Sequence, residues 1–332
     1  MHATSPQPAA GVDPRELLRL LAAAPHRLLF FVGAANVLLA MAWWTLWLAD
    51  ARWHWFGLAQ PVVPAGWLHA FVMQYQMLPT FMFGFLLTVF PRWMSLPAPT
   101  RWHYVPVGAG LLLGQVVTLT GAVGPAWLLH VGVLSTLIAW TTGFALLLRL
   151  VWLDGARNWH AVSCLAALGF GLLGVVLFAR YLHGGDARLA FGSIKLGSFG
   201  LLLPMYATVA HRMFPFFAGN IVPGYQPWRP LPWLAVFWAL TLAHLGLELV
   251  HGYAWLWMAD APLLALTAYW LWRNWPRAKF TAVPPLLHVL FLGYAWLPVA
   301  CALFLLQSAW FAGTGAFVLG RAPAHALFVG FF

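Results

Sequence analysis

Charge is what this sequence has least of. Only 7% of its 332 residues are Asp, Glu, Lys or Arg, while 63% are hydrophobic, with 22 Trp and 25 Phe. A soluble domain could not cover that much apolar side chain with water-facing surface. The chain is therefore expected to be all-α, a polytopic transmembrane helix bundle in contact with the lipid bilayer. Cysteine is nearly missing too: Cys164 and Cys301 both lie inside apolar runs. Two such residues exclude a disulfide framework and a thiolate metal cluster, and read as small buried packing groups. The first stretch has no charged n-region followed by an apolar core and a cleavage site, which argues against a signal peptide. Neither a soluble domain, nor a short-period repeat, nor a low-complexity tract stands out.

A formal charge of +10 would suggest nucleic acid in a soluble protein. Here the basic residues sit in short loops between apolar runs, where they set topology, so no nucleic-acid partner is expected. Residues 1–27 read as a cytoplasmic tail followed by an interfacial amphipathic helix, and 28–332 as a single transmembrane domain. A crossing helix needs about twenty apolar residues. Runs of that kind fall at 28–49, 67–90, 104–123, 126–149, 161–182, 189–211, 231–251, 254–275 and 284–308, nine full spans. A tenth begins near Pro323 and stops at Phe332, too short to cross, as expected of a fragment of a longer protein or, as the less favoured alternative, of a re-entrant last segment.

Sidedness follows from the loops. With a cytoplasmic N-terminus, that side collects Arg15, Arg19, Arg27, Arg92, Arg101, Arg149, Arg157, Arg212, Arg229, Arg273, Arg277 and Lys279. The other side has Arg52, Arg180, Arg188 and Arg321. The N-terminus is expected inside.

Orientation then fixes depth. His69, His130, His183, Lys195, His244, Glu248, His251, Asp260 and His325 fall toward the outer side, and His26, His103, His160, His211 and His288 toward the inner side. The inner histidines, at helix ends next to arginines, read as interfacial. The outer set gathers both signs of charge within hydrocarbon, where such groups usually face a bundle interior or a cavity.

In the stretch Trp67 to Trp93, His69, Met73 and Gln76 recur at helical spacing and are expected on one face. That face could hold a metal or a haem iron, or pack against other helices. In HLGLELVH, His244, Glu248 and His251 stand at i, i+4 and i+7, one helical stripe able to bind a divalent cation or pass protons. Its ends are about 10 Å apart at about 1.5 Å rise per residue, so one ion would need ligands from another helix. A hydrogen-bonded trio without metal is the alternative. Lys195 and Asp260 could pair with each other or with Glu248, or lie on a proton path. One imidazole from each of two distant helices is how a bundle holds haem iron, and His69 with His325 is the candidate pair. Arg321, Arg180 and Arg188 could meet the haem carboxylates.

The second span, with HAFVM (69–73) followed by GFLLTVFPRW (84–93), resembles the NnrS family, in which His-Ala-His-Glu-Met precedes Gly-Phe-Leu-Leu-Thr and Pro-x-Trp. PMYATVAHRMFPFFAG (204–219) is similar to that family's Arg-x-x-Pro-Phe-Phe region, and APAHALFVG (322–330) to its late His-Ala-Leu-x-Val-Gly helix. Phe71 and Val72 stand where the family's second His and its Glu are usual. The resemblance implies a multi-pass bacterial inner-membrane protein of about twelve helices. It further implies haem and copper, a link to denitrification and nitric oxide resistance, and an electron donor if it is an oxidoreductase. His69 and His325 match the family histidines. A fainter likeness to the large subunit of haem-copper oxidases and nitric oxide reductases lies in haem ligands from a second and a tenth helix. A proton- or ion-coupled transporter and a haem-free subunit of a respiratory complex are the rival readings.

Overall fold

In the computed structural model, residues 14–58, 60–277 and 284–332 are described. Lys279 and residues 1–13 of the expected tail lie outside that set. The chain is 82% helical, with no strand among the described residues, as the apolar runs require: in hydrocarbon a helix satisfies its own backbone. In chain order the helices are α1 (Pro14–Leu21), α2 (Pro25–Trp53), α3 (Ala65–Trp93), α4 (Arg101–Val123), α5 (Trp127–Leu153), α6 (Trp159–Gly184), α7 (Ala187–Ile221) and α8 (Leu231–Leu249). After them come α9 (Trp257–Asn274), α10 (Pro285–Thr314) and the short α11 (Ala322–Phe331).

Eight of these, α2 to α8 and α10, are long and apolar enough to cross a membrane. The protein is a polytopic membrane protein. The expected span at 254–275 is represented by α9, 18 residues carrying Asp260 and Arg273, and it is not among those eight. Local chemistry sets the ends. Pro25 opens α2, and a left-handed His54 closes it. The Asp50 carboxylate there accepts the backbone N–H groups of Phe56, Gly57 and Leu58 at 2.6, 3.0 and 2.6 Å.

Three helices change register internally. Val72–Met77 in α3, Leu196–Leu202 in α7 and Ala326–Phe331 in α11 are π-helical. In the first two the π segment runs straight into a Leu-Pro pair, Leu78-Pro79 and Leu203-Pro204. Proline donates no hydrogen bond and crowds the preceding turn. A wider π turn lets the flanking groups re-pair where no water can serve. The extra residue also rotates the helix face. His69 and Gln76, expected on one face, therefore belong to different packing neighbourhoods.

Backbone contacts divide the described chain into two compact units. The first takes in residues 14–58 and Gln76–Leu150; the second takes in Gln60–Tyr75 and the described residues from Val151 to Phe332. The chain passes from one to the other within α3. In the first unit, small residues let backbones approach: a Cβ on Gly110 would stand 2.8 Å from the Ala139 Cβ, and one on Gly143 would stand 2.6 Å from the Phe83 ring. Gln76 ties α3 to α4 and α5 by donating to Thr118 and Thr136 at 2.8 and 2.9 Å. In the second unit, Phe71 stacks on Phe178 with centroids 4.0 Å apart. The Tyr75 hydroxyl donates to the Ser193 carbonyl at 2.6 Å, and Gln74 donates to Ser198 at 2.9 Å. These bonds join the π segments of α3 and α7, the two helices with the largest buried share, 72% each.

Gly132 tests this packing. A methyl group there would overlap the Thr118 hydroxyl and stand 2.6 Å from the Thr118 backbone nitrogen, and backbone cannot move aside cheaply. Gly132→Ala is expected to destabilise the protein by about 1–3 kcal/mol, read as a lower thermal midpoint in tryptophan fluorescence.

Candidate functional site

Four ionisable residues of the second unit form one buried chain. Lys195 is the last residue of α7 before its π segment, and its Nζ lies 2.8 Å from Glu248 Oε1. Glu248 Oε1 is in turn 3.7 Å from His244 Nε2, one helical turn earlier on α8. His244 Nδ1 meets Asp260 Oδ1 of α9 at 2.6 Å. The Ser308 hydroxyl of α10 donates to Asp260 Oδ2 at 3.3 Å. Apolar rings seal the middle: Phe199 lies 4.0 Å from the His244 ring, and Phe304 lies 5.4 Å away. His244, Glu248 and Asp260 are all at or below 4% exposure, so each charge depends on its partner rather than on water. The imidazole has one nitrogen toward each carboxylate, the arrangement that takes a proton on one side and passes it on the other.

The third residue of the expected stripe stands elsewhere. α8 ends at Leu249, and His251 adopts a left-handed conformation with φ 57°. The Gly252 N–H closes back on the Leu247 carbonyl at 2.7 Å, a Schellman-type stop. Glycine usually takes the left-handed position in that motif. Here His251 takes it, one residue early, and its ring stacks on Phe191 at 5.1 Å and meets Tyr253 edge-on at 5.7 Å. His244 and Glu248 thus come together, and His251 does not join them. No group of three or more His, Cys, Asp or Glu side chains suited to a metal occurs among the described residues.

At the start of α3 and of α11 a second set assembles. His69 is half-buried and His325 exposed, and both Arg321 and His325 are near enough for their charges to act on His69. His325 Nδ1 lies 2.9 Å from the Arg321 carbonyl. A carbonyl only accepts, so Nδ1 carries a hydrogen, and Nε2 is the nitrogen turned away from that bond, as in the outer-shell arrangement of a metal-binding histidine. The Arg321 guanidinium reaches to 3.5 Å from where a side chain on Gly66 would begin. Two imidazoles with a guanidinium beside them fit, in kind, a haem with its carboxylates. Arg180 and Arg188 are exposed, at the end of α6 and the start of α7. Next to Arg180, Tyr181 meets Trp67 edge-on at 5.8 Å. Phe71 and Val72 are fully buried apolar packing.

One pair escaped the sequence reading. His160 and His211, expected at the membrane interface, are buried, with His160 Nε2 and His211 Nδ1 3.0 Å apart. Arg212 Nη1 lies 3.4 Å from His160 Nδ1 and Trp233 stacks on His211 at 5.2 Å. A guanidinium only donates, so His160 accepts at Nδ1 and donates from Nε2, and both rings are neutral links in a directed chain. His211 Nε2 sits beside the Pro230 carbonyl without a well-formed hydrogen bond. The only sequence signal was position: each histidine lies toward one end of its apolar run, next to an arginine or a loop.

A family model described as NnrS protein matches residues 20–332. No curated protein and no solved structure matches the chain.

The buried ion pair makes a direct prediction. Lys195→Met leaves Glu248 charged and unpartnered and is expected to cost about 3 kcal/mol, the lower end for a buried pair because the lysine side chain keeps 24% exposure. Adding Glu248→Gln should return most of that loss in thermal unfolding; an additive double variant would mean the two residues act separately.

Proposed function

The chain belongs to the NnrS family, and from that premise we propose that it is a haem-binding protein of the bacterial inner membrane acting on nitric oxide or a similar small ligand. The observation that carries this reading is the approach of the Arg321 guanidinium to the first turn of α3 at Gly66, which puts Arg321 and His325 on the His69 side of the second unit. In it, His69 from α3 and His325 from α11 would hold the haem iron, and Arg321 would meet the haem carboxylates. When bound, the haem would supply a redox-active iron able to take a diatomic ligand. The residues of the chain do the rest. The Arg321 carbonyl orients the His325 ring by accepting from Nδ1 at 2.9 Å.

Protons are assigned to the buried chain of the same unit. Lys195, Glu248, His244, Asp260 and Ser308 stand in contacts of 2.8, 3.7, 2.6 and 3.3 Å, and a proton would pass along them once Glu248 and His244 close from 3.7 Å to hydrogen-bond distance. We place the N-terminus in the cytoplasm on the twelve-to-four distribution of loop Lys and Arg, with nine full spans and the haem set toward the periplasm. Copper, if held, would take His244 Nε2 and Glu248 Oε2, which have no hydrogen-bond partner, with Lys195 remaining on Oε1. The same buried chain also suits a proton-coupled carrier.

Full-length protein expressed with ample haem is expected to have a Soret band. His69→Ala and His325→Ala should each lower haem occupancy at least tenfold or convert the spectrum to that of a single axial ligand. A haem-free protein that dissipates a proton gradient in liposomes would favour the carrier.

A further inference from the structure

The first unit holds a knot of three amide side chains whose donors are all spent and whose oxygens are all left over. Gln115 Nε2 donates to the Asn36 carbonyl at 2.5 Å, and Asn36 Nδ2 donates to the Gln76 carbonyl at 3.1 Å. Gln76 Nε2 donates to the hydroxyls of Thr118 and Thr136. None of these amides can be turned end for end. Backbone carbonyls only accept, so Asn36 and Gln115 must present nitrogen to them. Thr136 gives its own hydrogen to the Gly132 carbonyl at 2.8 Å and so must accept from Gln76.

The consequence is chemical. Asn36 Oδ1, Gln76 Oε1 and Gln115 Oε1 are buried without a partner, on three residues with no exposure at all. An unmet buried acceptor costs about 1–3 kcal/mol, and three in one knot make a costly accident. The knot is also built with care for space. Gly114 and Gly132 face the hydroxyls of Thr136 and Thr118, and a methyl group on either glycine would overlap them. Gln76 lies in the π segment of α3, a kind of irregularity frequent at functional sites.

A species that satisfies only acceptors must bring only positive charge or hydrogen. Water brings lone pairs as well, and these would find no donor among three carbonyl oxygens. A cation brings none, and amide oxygens can replace its hydration shell. Its charge is bounded by the surroundings. The acids of the first unit, among the described residues, are Glu16, exposed on α1, and Asp50, already bound to three backbone N–H groups. With no carboxylate to offset it, a divalent ion would be left with uncompensated charge in a buried site.

We propose that Asn36, Gln76 and Gln115 form a binding site for one dehydrated alkali-metal cation, sodium or potassium. The site is independent of the haem reading: it uses no histidine and lies wholly in the first unit. Its role is to lock α2, α3, α4 and α5 together when the ion is present, making the stability of this bundle depend on the salt supplied.

The test uses full-length protein in nanodiscs, equilibrated in choline chloride and then given radioactive sodium or rubidium, the latter standing in for potassium. Saturable retention of one ion per chain is expected for one of the two. The thermal midpoint should rise in that ion's chloride relative to choline chloride at equal ionic strength. Gln115→Met, which removes one oxygen at similar volume, should weaken retention at least tenfold. If that variant fails to fold, the wild-type measurements decide alone. Retention of neither ion above empty nanodiscs, with equal midpoints in all three chlorides, would mean that the knot holds water only and would overturn the proposal.

Discussion

Two prolines, Pro79 and Pro204, each remove a backbone donor from the interior of a helix that has no water to fall back on. The wider π turns before them, Val72–Met77 and Leu196–Leu202, are the answer the chain finds, and much else depends on them. They place Gln74 and Tyr75 of α3 against Ser198 and Ser193 of α7. They also rotate Gln76 out of register with His69, so one helix serves two different packing neighbourhoods. A third π segment directly follows His325. His69, Lys195 and His325 thus each stand within one turn of a register change, where a side chain can be aimed differently from the helix that carries it.

The second constraint is that charge in hydrocarbon must be answered by charge. Lys195 needs Glu248, and the imidazole of His244 stands between Glu248 and Asp260. The seventh-span residues His244 and Glu248 are therefore drawn into a chain of charged contacts with Lys195 and Asp260. Neutral groups obey a milder form of the same rule. His160 and His211 solve their burial by hydrogen-bonding each other, with Arg212 setting the direction of the chain.

Much of this was legible in the sequence. The apolar runs gave the helices, and the scarcity of charge made each intramembrane ionisable residue conspicuous, so Lys195, Glu248, His244 and Asp260 were singled out with their pairing left open. His69, His325 and Arg321 were singled out as well, from their places in the second and tenth runs. What was not legible depends on local geometry. Helical spacing put His251 on the stripe, but a Schellman-type stop one residue early took it off. Period 3.6 put His69 and Gln76 on one face, and the π turn separated them. His160 and His211 lie 51 residues apart, and no spacing rule joins two helix ends that meet only in three dimensions.

The account turns on two imidazoles from α3 and α11 sharing one iron. Electron paramagnetic resonance of the oxidised, full-length protein after haem loading reads that most directly. It should give the low-spin ferric signal of an iron with an imidazole on each side. A high-spin spectrum, or no haem signal at all, would contradict the assignment of His69 and His325 and with it the proposed function.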